Sequence, residues 1–311
     1  MNYTPFVLAC LFLVGCNSLK QEVDPRGLSN EPEKIVVACF ISPQDTVLAA
    51  RIGRSSTILG PDNRAVPDIP NAIVTMSDGT RSVVLKKAID EVLGYTYYRA
   101  KPEQLPVIVG KTYTLMVSVP NGQTIDASCT VPGPVAIESI RLDSNLTQLY
   151  SFVRMEYYAR LRWRDSAGQA NYYRVAGQNE YSYRAQVRTT PNGPLRDSLV
   201  QVRGNWSFNT SPLLTDIGRD GEEFVSPQGR LANTTPRSNG GASSIDRPRG
   251  YISAYLLNVD ESYYHYHDEV ARQSKVRNNP FAEPVLIQTN VRGGLGCFGA
   301  YNKSTLVIQL K

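Results

Sequence analysis

VRMEYYARLRWR, residues 153–164, alternates with a period of two. Val153, Met155, Tyr157, Ala159, Leu161 and Trp163 fall on one face, and Arg154, Glu156, Tyr158, Arg160, Arg162 and Arg164 on the other. Successive side chains of a strand point to opposite faces, so the pattern predicts an antiparallel strand with one buried and one wet face. After a turn at 165–168 a second such strand follows, with Tyr173, Val175, Tyr181, Tyr183, Ala185 and Val187 set against Arg174, Glu180, Arg184 and Arg188. The arginine-rich face reads as a solvated one; the sharper alternative is that it docks an acidic partner or glycan.

Upstream, short strand candidates at 34–41, 46–52, 72–76, 82–87, 95–99, 112–119 and 124–130 alternate with turn signals such as Ser77-Asp78-Gly79 and Asn121-Gly122. That spacing predicts an immunoglobulin-like β-sandwich over 34–134. Val131-Pro132-Gly133-Pro134-Val135 reads as a hinge, because proline has no N–H to give a ladder. Residues 135–311 then predict a larger antiparallel β domain. Within it, 226–250 is almost free of large apolar side chains and predicts a long polar, disordered loop. A strand at 251–258 and one helix near 260–275, capped by Asp260 or Ser262, follow. The fold class is mainly β, with one helix in the C-terminal region.

The 311 residues carry 33 Lys plus Arg against 28 Asp plus Glu, a formal charge of +5. That balance is too small to argue for nucleic acid as a partner. Hydrophobic residues at 41% and charged residues at 20% describe a globular chain. Residues 1–15 hold an apolar run from Phe6 to Val14, too short to span a bilayer but suited to a signal-peptide core. Leu13-Val14-Gly15-Cys16 resembles a bacterial lipobox, in which the Cys16 thiol accepts a diacylglyceryl group and cleavage leaves it first. Residues 1–15 are then a lipoprotein signal peptide and 16–33 a polar tether, with acyl chains holding the body to a membrane.

Setting aside Cys10 and Cys16 leaves Cys39, Cys129 and Cys297. Cys39 lies in the first candidate strand of the N-terminal region and Cys129 in its last. In an oxidising compartment they could form a disulfide if those strands are neighbours, or all three could be small buried hydrophobes. His265 and His267 are the only imidazoles. On a strand they would share a face and could bind zinc, but the flanking residues favour a helix, on which they diverge. Tyr263, Tyr264 and Tyr266 suit either an aromatic ligand platform or a helix packed on a sheet.

Asp216, Asp220, Glu222 and Glu223 crowd one loop around Gly218 and Gly221, a composition that can hold Ca²⁺ or simply form a solvated turn. There is no GxSxG and no arguable Ser-His-Asp set, so no catalytic residue, metal or cofactor is assigned and a non-enzymatic role is expected. Trp163 and Trp206 discriminate among binding roles. A concave site lined by them would favour ligand capture, and burial of both would count against it.

The C-terminal segment runs Tyr251-Ile252-Ser253-Ala254-Tyr255-Leu256, Asp260-Glu261-Ser262-Tyr263-Tyr264-His265-Tyr266, Asn279-Pro280-Phe281-Ala282-Glu283-Pro284-Val285, Thr289-Asn290-Val291 and Gly293-Gly294-Leu295-Gly296-Cys297-Phe298-Gly299-Ala300. In this order, and with the lipobox, these stretches resemble the "domain of unknown function 4249" family of Bacteroidota lipoproteins; Cys39 and Cys297 depart from its pattern. The resemblance implies an outer-membrane lipoprotein with tandem β-domains, the first similar to carboxypeptidase-regulatory-like modules, and genes often beside those for TonB-dependent receptors. It brings no activity. The role expected is an accessory or interaction partner of a TonB-dependent receptor. A surface glycan- or peptide-binding module is the alternative, and an envelope hydrolase with paired carboxylates a third reading. Gly293, Gly294, Gly296 and Gly299 suit a strand with bulges or close backbone approach, not a phosphate cradle. Asp45-Thr46-Val47, Asp165-Ser166-Ala167 and Asp197-Ser198-Leu199 resemble periplasmic O-glycosylation sites of the Asp-Ser/Thr-apolar kind.

Overall fold

The computed structural model describes residues 33–55, 67–149, 152–188, 190, 193–232, 250–276, 283 and 285–310. Seven strands come first: β1 (Ile35–Ile41), β2 (Leu48–Arg54), β3 (Ile73–Ser77), β4 (Ser82–Ile89), β5 (Thr96–Ala100), β6 (Thr112–Ser118) and β7 (Thr124–Thr130). β4 turns the corner of a sandwich. Its first residues, 82–85, pair with β3, and its last, 86–89, pair with β5. The core between the two layers takes alternate residues of each strand, such as Ile35, Val37, Cys39 and Ile41 of β1, and Tyr113, Leu115 and Val117 of β6.

A second set follows: β8 (Ser139–Leu149), β9 (Phe152–Arg164), β10 (Tyr172–Arg188), β11 (Leu195–Asn205), β12 (Ser207–Phe208), β13 (Leu213–Thr215), β14 (Glu223–Val225), β15 (Gly229–Arg230), β16 (Gly250–Val259), helix α1 (Glu261–Val276) and β17 (Leu295–Leu310). The alternation predicted for this strand holds over 159–164, where Ala159, Leu161 and Trp163 are buried while Arg162 and Arg164 are exposed, whereas 155–158 are half-buried on both faces. β9 belongs to a five-stranded sheet with β8, β12, β14 and β15. Across a second core of Trp163, Tyr173, Val175, Phe224 and Leu256, it faces the sheet carrying β10 and β16. The protein is mainly β, with one helix among the described residues.

β17 connects the two halves. Residues 295–300 pair parallel with β1, and 301–310 pair antiparallel with β16, so one strand runs from the first sandwich into the second. The sequence predicts one domain over 135–311, yet Val291, Phe298 and Ala300 pack in the first core. A parallel pair needs cover on both faces, and Gly296 through Ala300 are buried without alternation because α1 lies over the face away from the core. The glycines permit close approach. At Gly296, with φ at +100°, an added Cβ would stand 1.9 Å from the Val37 carbonyl oxygen.

The segment 131–135 does cross between the cores, with Val131 in the first and Val135 in the second. It is fastened, not free. Asn258 donates to the Gly133 carbonyl and Asn302 to the Pro132 carbonyl, each at 3.0 Å, and these two buried asparagines face each other across β16 and β17. The polar run expected from 226 is also ordered at its start. Ser226 bonds Leu161 through both backbone and hydroxyl, β15 pairs with β9, and Leu231 is buried. Positions 233–249 lie outside the described residues.

Candidate functional site

Helix α1 starts where a buried carboxylate can cap it. Asp260 accepts the Tyr263 amide at 2.8 Å and, with its other oxygen, the Ala300 amide at 3.0 Å. Burial pushes its carboxyl up to about 7, against the pull of these two donors. His265 and His267 lie on the helix, as the flanking residues predict. The His267 ring stacks on Tyr263 with centroids 4.0 Å apart, and since a carbonyl can only accept, its Nδ1–H donates to the Tyr263 oxygen at 2.9 Å. Burial lowers His267 to about 4. His265 sits 3.7 Å from Glu261 one turn back. Tyr263 is buried against Phe40 of β1, and its hydroxyl accepts from Arg174 at 2.7 Å. The tyrosines here pack a helix on a sheet.

Asp216 and Asp220, singled out in the sequence, are joined by Asp165. One oxygen from each lies within 4.8 Å of the others, a spacing at which a cation could be shared. Each carboxylate is also engaged by the facing loop. Asp165 accepts from the Tyr173 hydroxyl and the Gly221 amide, Asp216 from the Asn171 amide, and Asp220 from the Gly168 amide. These bonds clamp the 165–171 turn to the 216–221 loop, and the clamp accounts for the clustering. Glu222 and Glu223 turn away, toward Arg219 and Arg162.

Cys39 and Cys129 belong to the same first core, from opposite layers, as free thiols. Cys297 is buried too, on the helix side, with Sγ 3.5 Å from the Ser262 carbonyl oxygen. Cys16 lies outside the described residues. Thr46 and Ser166 of the Asp-Ser/Thr tripeptides are exposed, while Ser198 is half-buried in β11. Asp45 accepts from the Tyr301 hydroxyl, and Asp165 is buried in the clamp.

Two long hairpins extend beyond the second core. β8 pairs with β9, and β10 with β11, over eleven residues each. Only the base of each lies over the second core, so the distal parts carry apolar residues into solvent: Leu146 is 61% exposed and Leu199 65%. Among the described residues β8 pairs only with β9, and β11 only with β10, which leaves two long strand edges open. Alternation in the sequence marks β9 and β10 but not β8 and β11, and the open edges are not legible there, since pairing order is not written in local alternation. Both tryptophans, by contrast, are core residues. Trp163 is fully buried against Tyr173 and Phe224, and Trp206 lies where Gly177 and Gly229 leave room for its indole.

No curated protein matches the chain. The family described as a domain of unknown function, DUF4249, matches residues 20–306, and the chain belongs to that family.

Proposed function

We propose that the protein is an acyl-anchored outer-membrane lipoprotein, tethered through Cys16, that serves as an accessory, non-enzymatic partner of a TonB-dependent receptor. The observation that carries this reading is the pair of β8–β9 and β10–β11 hairpins, with open edges and exposed leucines. Unpaired backbone donors and acceptors beside apolar side chains are what another chain needs to add a strand or pack a loop. The burial of Trp163 and Trp206 removes the aromatic platform that a glycan-capturing module would present.

The test is a gentle-detergent pull-down of the tagged protein from native outer membranes, with Leu146→Asp/Leu199→Asp as the comparison. Both positions are exposed, so the double variant keeps its core. Wild type is expected to bring a TonB-dependent receptor in near-equal amount, and the variant to lose most of it. Wild type emerging alone, or a variant that retains the receptor fully, would refute the reading. The anchor is tested separately: Cys16→Ala should move the protein from the membrane to the soluble fraction.

A further inference from the structure

The arginine face of β9 continues onto β8 and encloses a groove. In the register of this hairpin Arg141 stands opposite Arg160, and Ser139 opposite Arg162. Like charges directly across a ladder repel, so the pair costs stability unless something negative lies between them. Arg141 reaches Asp143 at 3.2 Å and Arg162 reaches Glu223 at 3.4 Å. Arg160 makes no ion pair among the described residues, and its Nε is shut off from solvent with no acceptor. The groove has a volume of about 400 Å³, with Ser139, Arg141 and Asp143 on one strand, Arg160 and Arg162 on the other, and Val225 of β14 beside Arg162.

Three guanidinium groups line this groove, and with Asp143 on Arg141 and Glu223 on Arg162 the charge left without a counter-ion is that of Arg160. A guanidinium presents a planar fork of donors that matches phosphate or carboxylate oxygens. The number of forks selects between them, since a phosphate monoester offers three terminal oxygens to three guanidinium groups and a carboxylate only two. The volume is that of a small-ligand site. We propose that the groove between β8 and β9 binds a phosphate monoester, held by Arg160 with Arg141 and Arg162 beside it and the Ser139 hydroxyl as a further donor. The site does not depend on the receptor reading. A lipid headgroup and a free organic phosphate share this chemistry.

The experiment titrates the detergent-solubilised full chain with glycerol 3-phosphate by calorimetry. In parallel, it measures retention on phosphatidylcholine vesicles with and without phosphatidic acid. Arg160→Gln, Arg141→Gln and, outside the groove, Arg196→Gln are compared with wild type. Arg141 is largely exposed, so its variant reports on the groove even where Arg160→Gln disturbs folding. The proposal expects binding that weakens about tenfold or more in both groove variants and is unchanged in Arg196→Gln. Binding of the free ester alone assigns a soluble source, and retention on phosphatidic acid alone assigns a lipid headgroup; both support the site. Failure to bind either probe, unchanged binding in both groove variants, or succinate competing as well as glycerol 3-phosphate would overturn it.

Discussion

Cys39, Cys129 and Cys297 lie near one another, on strands far apart in sequence, and burial raises all three thiols well above the ordinary range. A thiol reagent attacks the thiolate, so these cysteines should be inert in the folded protein. In a chain lacking residues 1–16, a thiol assay is expected to find none reactive in native buffer and three in denaturant without reductant. One thiol in denaturant would mean instead that two of the three are paired, and Cys297→Ala would then leave none if the pair is Cys39 with Cys129. Legibility at this scale follows from what buries a residue. Leu161 and Trp163 could be assigned to a core because the alternation of β9 reports one covered face. Cys297 gave no such signal: its strand is covered on the core side by the sandwich and on the other by a helix lying more than twenty residues earlier, so alternation vanishes. Arg160 is legible as one residue of a polar face, but not as one without a counter-ion, because its facing residue Arg141 is supplied by β8.

Helix α1 was the easiest element to read, since Asp260 before Glu261 marks a start and the polar run to Lys275 sets its length. What the sequence did not carry is that the helix holds two titrating groups with opposite effects on stability. The Asp260 carboxyl is raised to about 7 from an ordinary 3.8, so its contribution is fully present below about pH 4 and is lost as pH rises through 7. The His267 imidazole is lowered to about 4 from 6.5, so its contribution is present above about pH 6.5 and is lost as pH falls through 4. The two slopes offset each other across one window in the wild type. His267→Phe, which keeps the stack on Tyr263, should make stability fall relative to wild type as pH rises from 4 to 7. Asp260→Asn should make it rise over the same range. Each relative change is expected to be on the order of 2 kcal/mol. Urea unfolding at a series of pH values measures both, and slopes of the same sign in the two variants would rule the mechanism out.

At the scale of the molecule, the division into two halves near residue 134 was visible in the prolines, but the route back was not. Local pattern cannot report that residues 295–300 pair parallel with β1, a strand more than 250 residues away. That pairing, the helix resting on it and the asparagine pair holding 132–133 make the two cores share structure, so they should unfold together. The protein carries its own reporters for this. Its two tryptophans, Trp163 and Trp206, are both in the second core, whereas Leu115 is buried in the first. Leu115→Ala removes three carbons from a packed site, a loss of about 3 kcal/mol for that core. If the cores are coupled through β17, the denaturant midpoint read by tryptophan fluorescence should fall with the variant, and by the same amount as the midpoint read by circular dichroism. A tryptophan transition that stays at its wild-type position while circular dichroism splits into two steps would show that the second core stands alone. β17 would then be a seam between independent domains, not the strand that joins them.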